Sequence, residues 1–397
     1  MKTNKIFITL LTIAIPCVLF YAARNAKLTS AKVGEAERQS YEFALLAEMP
    51  KDKNYMVSPF SLKMALAMAA NGADGATKHE ILNALEILDI DIFNKQSAEF
   101  IKSSNDNEAV EFNIANSIWH NTDRAPDLKF SDMYKNKIQK YFNGQANEIN
   151  NENGAKTIND WIALQTKDKI KDVVDDEKVK KCVSFLVNTI YFKGDWDIPF
   201  KPEMTSDDIF TDRIGDEKTT SFMSHAGDYL YFENSEFQLL AKPYKDNDIK
   251  MYFVLPKNDR PVTADAFDNA VINVSVEYVY FKLPKFKTEY LHENLIDILK
   301  RMGVTTAFDA NADFMNMYAI DSNPNIFIAL ILQKTFIEVD EKGTEAAAAT
   351  VIGIEPDFAV PTPEPIYFIC DRPFTYFIRD DKTGDILFMG EYAFVSK

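Results

Sequence analysis

The supply of catalytic side chains in this sequence is thin. Its imidazoles are His79, His120, His225 and His292, and none stands at metal-ligand spacing from another. No Gly-x-Ser-x-Gly turn presents a nucleophile, and no glycine-rich loop is placed to cradle a phosphate. The adjacent acids Asp175-Asp176 and Asp380-Asp381 read as solvated turns, not as proton-transfer pairs. Enzymatic chemistry, a metal and a cofactor are therefore not expected. The segment with an unusual physical capacity is Glu341-Lys342-Gly343-Thr344-Glu345-Ala346-Ala347-Ala348-Ala349-Thr350. Alanine and glutamate favour helix, so a helical surface loop is one reading. The other is a strand that can enter a packed interior. Thr344, Ala346, Ala348, Thr350, Ile352 and Ile354 would form one face without a charge, while Glu345 and Glu355 lie on the other with Ala347, Ala349, Val351 and Gly353.

The neighbouring sequence sets the ends of that segment. Gln333 to Asp340 is mostly β-branched or aromatic and predicts a strand buried on both faces or nearly so. Pro356, Pro361, Pro363 and Pro365 remove backbone donors beyond it, so residues 357–365 predict an extended tether and not an interior strand. A chain of 397 residues with 46% hydrophobic content has ample material for one large core or two ordinary ones. The formal charge of -16 argues against nucleic acid or an anionic membrane as partner, and no run concentrates lysine and arginine into a heparin-type site. Of the 3 cysteines, Cys17 falls in an apolar leader, and Cys182 and Cys370 read as buried free thiols.

Lys2 and Lys5 precede an apolar run from Ile6 to Ala23, so residues 1–30 predict a signal peptide or an N-terminal membrane anchor. Phe20 and Tyr21 stand where small residues would mark cleavage, which keeps the anchor reading open; Pro16 before Cys17 weighs against a lipoprotein. A helix is expected from Ser40 to Ala47. Ser58 and Pro59 then have the types of a helix N-cap and first helical residue, with Leu62, Ala65, Leu66 and Ala69 as a buried stripe. Thr77 and Glu80 have the spacing of a capping box for the next helix. Strands are expected at Phe112–Ile118, Val183–Trp196, Leu239–Tyr244, Ile249–Leu255 and Tyr278–Phe286, a helix at Leu291–Met302, and two strands from Arg372 to Gly390. No linker divides residues 36–397 into two domains.

Several of these segments, in this order, resemble the serpin family. The hinge pattern Glu-x-Gly-Thr-Glu-Ala-Ala-x-Ala is matched by Glu341, Gly343, Thr344, Glu345, Ala346, Ala347 and Ala349, with Ala348 at the free position. Asn54 to Ser61, the Thr166-x-x-Lys169-Ile170 turn, the strand ending in Trp196 and the C-terminal run beginning Arg372-Pro373-Phe374 are similar to family signatures as well. The resemblance implies an α+β serpin fold over residues 36–397, with three β-sheets, eight or nine helices and an exposed reactive-centre loop. It also implies that the protein is a monomer and a suicide inhibitor of a serine-type protease; export is the expectation from the apolar leader. Ser58, Ser61, Asn188 and Gln333 would form the hydrogen-bonded shutter, and Trp196 would mark the breach where the loop enters. Where many members carry a shutter histidine this chain has Gln333, which can bridge Asn188 and the Ser58–Ser61 helix start but cannot gain a proton.

Counting along the hinge, the resemblance places the reactive bond at Asp357-Phe358, after Ile354-Glu355-Pro356, which suits an acidic-specific, granzyme-like or glutamyl-type protease. Cutting after Phe358 by a chymotrypsin- or subtilisin-like enzyme, or after Val360 by an elastase, is the alternative. A serpin-fold protein that binds or chaperones a ligand without inhibiting is the second functional reading, and a hydrolase a third.

Overall fold

The computed structural model describes residues 40–104, 110–245, 248–258, 260–320, 326–344 and 364–395. The chain begins with α1 (Tyr41–Ala47) and β1 (Tyr55–Val57), followed by α2 (Pro59–Gly72), α3 (Gly75–Ala84) and α4 (Ile90–Ser104). Next come β2 (Val110–Asn121), α5 (Asp132–Phe142), β3 (Gln145–Ile149), α6 (Gly154–Gln165), α7 (Asp176–Lys181) and β4 (Ser184–Asp195). Five strands carry the middle of the chain: β5 (Ser206–Thr211), β6 (Glu217–Glu233), β7 (Phe237–Pro243), β8 (Ile249–Pro256) and, after α8 (Ala264–Ile272), β9 (Ser275–Pro284). The remainder is β10 (Phe286–His292), α9 (Leu295–Arg301), β11 (Leu330–Val339), β12 (Gly343–Thr344), β13 (Ile366–Ile369), β14 (Phe374–Asp380) and β15 (Ile386–Tyr392).

A six-stranded sheet runs in the order β10-β11-β12-β4-β2-β3. At its centre β4 is buried at each of its first nine positions, as befits a strand covered on both faces. Its alternate residues feed two cores. Leu186 and Ile190 belong to the main cluster, whereas Phe185 and Val187 join Leu332, Trp119 and the α6 residues Ile158 and Ile162 in a smaller cluster on the opposite face. The remaining strands form a nine-stranded network, β1-β15-β14-β8-β7-β6-β9-β13 with β5 paired to β6. The long β6 joins its two parts: residues 222–231 pair with β9, and Leu230–Glu233 pair with β7. The three sheets anticipated from the sequence are thus one separate sheet and two that share β6. Nine α-helices occur among the described residues.

Local chemistry accounts for several boundaries. Ser58 has extended backbone and its hydroxyl accepts from Ser61 N–H, with Pro59 at the first helical position, as expected. The helix it opens is buried at every position except Lys63, so α2 is a core helix and not the one-striped helix read from Leu62, Ala65, Leu66 and Ala69. The capping-box expectation is overturned as well. Asp74 caps α3 by accepting from Gly75 N–H, Thr77 Oγ1 accepts from Asp313 N–H at 2.9 Å, and the Glu80 carboxylate holds the N–H groups of Thr305 and Thr306, both at 2.7 Å. The run expected as a helix from Leu291 starts at Leu295, because Leu291 and His292 still pair with Lys334 and Gln333. The strand expected to reach Phe286 ends at Pro284, and Phe286 opens β10. Cys182 and Cys370 are free thiols, the first half-buried and the second fully buried.

Because the Glu80 carboxylate ties α3 to the turn after α9, Glu80→Ala is expected to cost about 1–3 kcal/mol. The readout is a lower urea midpoint with an unchanged slope, and an unchanged midpoint would show that solvent replaces these bonds.

Candidate functional site

The hinge starts inside the six-stranded sheet. β11 and β4 pair in parallel from Leu330↔Phe185 to Phe336↔Tyr191. Beyond that point they part, and β12 occupies the space, with Thr344 opposite Val339 on one side and Gly194 on the other. A tight turn returns the chain from β11 to β12: Asp340 N–H donates to the Gly343 carbonyl at 3.0 Å, and Asp340 Oδ1 accepts from Lys342 N–H at 2.8 Å and Gly343 N–H at 3.2 Å. One glycine permits the approach of the strands and another leaves room for the Tyr244 ring. A Cβ on Gly343 would lie 2.1 Å from the Gly194 carbonyl oxygen, and one on Gly194 would lie 2.7 Å from the Tyr244 ring.

The side chains at this end gather around Thr344, where the breach is expected. Thr344 is fully buried, with its hydroxyl 2.7 Å from Tyr244 Oη, and Tyr244 stacks on Trp196 at 4.6 Å between ring centroids. Trp196 N–H donates to the Lys342 carbonyl at 2.8 Å, its indole N–H to the Asp340 carbonyl at 3.1 Å, and Phe200 N–H to the Glu341 carbonyl at 2.7 Å. The Glu341 carboxylate accepts from Thr205 Oγ1 at 2.8 Å and from Lys285 Nζ at 2.9 Å. Burial pushes the pKa of this carboxyl up, but the Lys285 ammonium and the hydrogen bonds prevail and hold it below the usual range.

Halfway down the seam lies the second cluster. Gln333 and Asn188 are register partners across β11 and β4, and Gln333 Nε2 donates to Asn188 Oδ1 at 2.6 Å. Gln333 also accepts from Ser58 N–H at 2.9 Å and donates to the Ser58 carbonyl at 3.0 Å. Asn188 Nδ2 donates to Ser61 Oγ and to Asn116 Oδ1, the latter at 2.6 Å. Asn116 is the register partner of Asn188 on β2, and His292 that of Gln333 on β10. A buried polar file therefore crosses four strands: His292, Gln333, Asn188 and Asn116. Ser58 Oγ extends it to the other sheet by donating to the Leu387 carbonyl at 2.6 Å.

The sequence-derived residues thus fall into two groups. Ser58, Ser61, Asn188 and Gln333, expected as the shutter, are brought together in one hydrogen-bonded cluster, and Trp196, Glu341, Gly343 and Thr344, expected at the hinge and breach, in another. Glu345, Ala346, Ala347, Ala348 and Ala349, the reactive bond Asp357-Phe358 and the leader at residues 1–30 lie outside the described residues. Asn116, Tyr244, Lys285, Thr205 and His292 were not anticipated. Asn116 shares its strand with Asn113, Ser117 and Asn121 and so did not stand out; His292 was hidden by its assignment to a helix. The glutamine at position 333 cannot gain a proton, and the histidine that is its register partner on β10 bonds outside that cluster. His292 Nε2–H donates to the Met56 carbonyl at 2.9 Å, which also accepts from Thr335 Oγ1 at 2.7 Å.

A family model described as serpin (serine protease inhibitor) matches residues 39–394. An uncharacterized serpin-like protein of Thermococcus kodakarensis is 32% identical over 366 residues, covering 88% of this chain and 83% of its own. Neuroserpin from Homo sapiens is 32% identical over 364 residues, 86% of each chain. Among solved structures, the thermophilic serpin tengpin in its native state superposes with a TM-score of 0.80 at 28% identity, over 92% of this chain and 96% of its own. Thyroxine-binding globulin with thyroxine gives 0.78 at 24% identity, over 90% and 98%, which bears on the fold alone.

Burial lowers the His292 pKa from 6.5 to about 4. The unfolded chain then binds more protons between those values, so stability falls as pH drops from about 6.5 to about 4, by on the order of 3 kcal/mol. His292→Gln is expected to flatten the loss of melting temperature between pH 7 and pH 4.5, and an unchanged slope would place the acid sensitivity elsewhere.

Proposed function

This chain belongs to the serpin family, and from that premise we propose that it is a suicide inhibitor of a serine-type protease. The observation that carries the reading is the position of Thr344, buried between β11 and β4 at the head of a segment whose inward set bears no charge. The loop is offered as substrate. The protease's hydroxyl oxygen bonds to the carbonyl carbon of Asp357, the bond to the Phe358 nitrogen breaks, and Phe358 leaves as a free amine with the transferred proton. The enzyme is left as an ester on Asp357. Residues after Thr344 then follow it between β11 and β4, and the tethered protease is carried along.

Insertion replaces one strand interface with two. About ten additional ladder bonds at roughly 1 kcal/mol net each give a gain on the order of 10 kcal/mol, enough to distort a catalytic site. The acidic residues before the bond favour a protease with a basic pocket, granzyme-like or glutamyl-type, with chymotrypsin-, subtilisin- and elastase-like enzymes as alternatives. The apolar leader favours a secreted protein or one tethered by its N-terminus. A ligand-binding role without inhibition is the second reading. Gly343, Thr344 and four successive alanines weigh against it, because nothing bulky, charged or proline-like obstructs the hinge.

Incubation with an acidic-specific serine protease is expected to give a covalent adduct that survives boiling in detergent, and mass spectrometry of the released fragment should find it beginning at Phe358. A fragment beginning at Ala359 or Pro361 would move the reactive bond. Cleaved loop with fully active protease would refute inhibition of that enzyme. Loop-cleaved protein should also melt well above the intact protein, and equal melting would mean that no strand is added.

Thr344→Arg is expected to turn the inhibitor into an ordinary substrate, with the site and rate of first attack nearly unchanged. Thr344 is already buried in the intact protein, so an arginine there would be expelled from between β11 and β4, and its unpaired guanidinium would have to be buried again, at a cost of several kcal/mol, before the following residues could enter. Glu345→Arg, on the face assigned to solvent, should leave the stoichiometry of inhibition almost unaltered. Full inhibition by both variants would overturn the face assignment.

A further inference from the structure

Beneath the breach lies a lysine that neither the hinge motif nor the shutter includes. Lys242 on β7 is 1% exposed, and among the described residues no carboxylate stands within ion-pair distance of its Nζ. That amine donates to the Ile198 carbonyl at 2.7 Å and lies over the rings of Phe200, Trp196 and Tyr229, at 4.4, 5.3 and 5.6 Å from their centroids. A buried cation without a carboxylate is costly, and aromatic faces recover only part of the lost hydration.

Its neighbours give the placement a use. The segment from Asp195 to Ile198 runs antiparallel to the end of β7: Lys245 N–H donates to the Asp195 carbonyl at 2.8 Å, and Asp197 N–H to the Pro243 carbonyl at 3.1 Å. Pro243 has no N–H with which to continue this ladder. One residue further back, the Lys242 side chain supplies a bond to the same segment. The segment it secures is the one whose amides, at Trp196 and Phe200, hold the Lys342 and Glu341 carbonyls.

We propose that Lys242 is a positioning residue for the hinge: its buried amine fixes the 196–200 segment as the ledge on which Glu341 and Lys342 rest. The role rests on the inhibitory reading for its consequence, since a loosened ledge would release the hinge before the loop is cut. The ledge also responds to pH. Burial pulls the pKa of the amine down from 10.5 to about 7, with Asp197 acting in the opposite direction. The other titratable groups around it are His225 and Tyr229 on β6, and Lys201 beyond them. Above that pKa the amine keeps its hydrogen bond to Ile198 but loses its attraction to the three rings.

Hydrogen–deuterium exchange on the intact full chain tests the assignment without any protease. In Lys242→Met the amides of Trp196 and Phe200 should exchange at least ten-fold faster than in the wild type, while the Ser58 amide at the shutter keeps its rate. Equal rates at the ledge, or one common acceleration that includes Ser58, would overturn the proposal. Indole emission supplies a second arm should that variant fail to fold. The part of the wild-type emission that Trp196→Phe removes should change with a midpoint near pH 7 and persist in His225→Gln; a pH-independent signal, or one lost with His225, would overturn it. Cleaving the wild-type loop and finding no rise in melting temperature would instead refute the inhibitory reading and leave the ledge assignment standing.

Discussion

One hydrogen bond sits where, on the inhibitory reading, the molecule would come apart. Gln333 and Asn188 face each other across β11 and β4, and any strand added between them must separate that pair. The bond belongs to a file of neutral amides and hydroxyls reaching through Asn116, Ser61 and Ser58 to the second sheet. Neutral hydrogen bonds hold the seam in register because leaving any one of them unmade in the interior is expensive. They can nevertheless be exchanged for others, since an incoming backbone brings its own donors and acceptors. A charged pair at this position would have bound the seam more rigidly and carried a larger desolvation penalty when parted.

The two ends of the seam are built on different principles. Around Asn188 the polar groups are fully buried and uncharged, and cooperation among short hydrogen bonds gives the arrangement its definition. At the breach, backbone bonds from Trp196 and Phe200 hold the hinge, and an ion pair from Lys285 to Glu341 guards its outer edge. That pair is partly exposed and contributes modestly. The larger restraint is geometric: Gly343 lies so close to the backbone at Gly194 and Asp195 that one added methyl group would force the strands apart.

How much of this could be read from the sequence follows from how local each cause is. The Ser58-Pro59 start of α2 was legible because a cap and its helix are adjacent residues. The centrality of β4 was legible because burial on both faces leaves an unbroken apolar run, in which Asn188 stands out. The spacing of Thr77 and Glu80 misled, because Asp74 caps α3 and the glutamate is spent on Thr305 and Thr306, some 225 positions away. Helical periodicity hid the end of β10, since the pairing that keeps Leu291 and His292 extended comes from β11. Tyr244 and Lys242 carried no sequence signal at all: their roles arise only when β7 is laid beside the segment after β4.

The small core under α6 gives the seam a sense of time. Phe185, Val187 and Leu332, from the two strands that an entering strand would part, share a core with Ile158 and Ile162 of that helix. A strand advancing down the seam would therefore travel beneath α6, and the helix must lift for it to pass. A small, satellite cluster of this kind can open on its own, well below the free energy of global unfolding. Trapping by the proposed route would then be a race between two clocks, one set by how often α6 rises from the sheet and the other by how soon water reaches the ester. The packing of a helix that touches neither the hinge nor the scissile bond would decide what fraction of encounters end in capture and what fraction in escape.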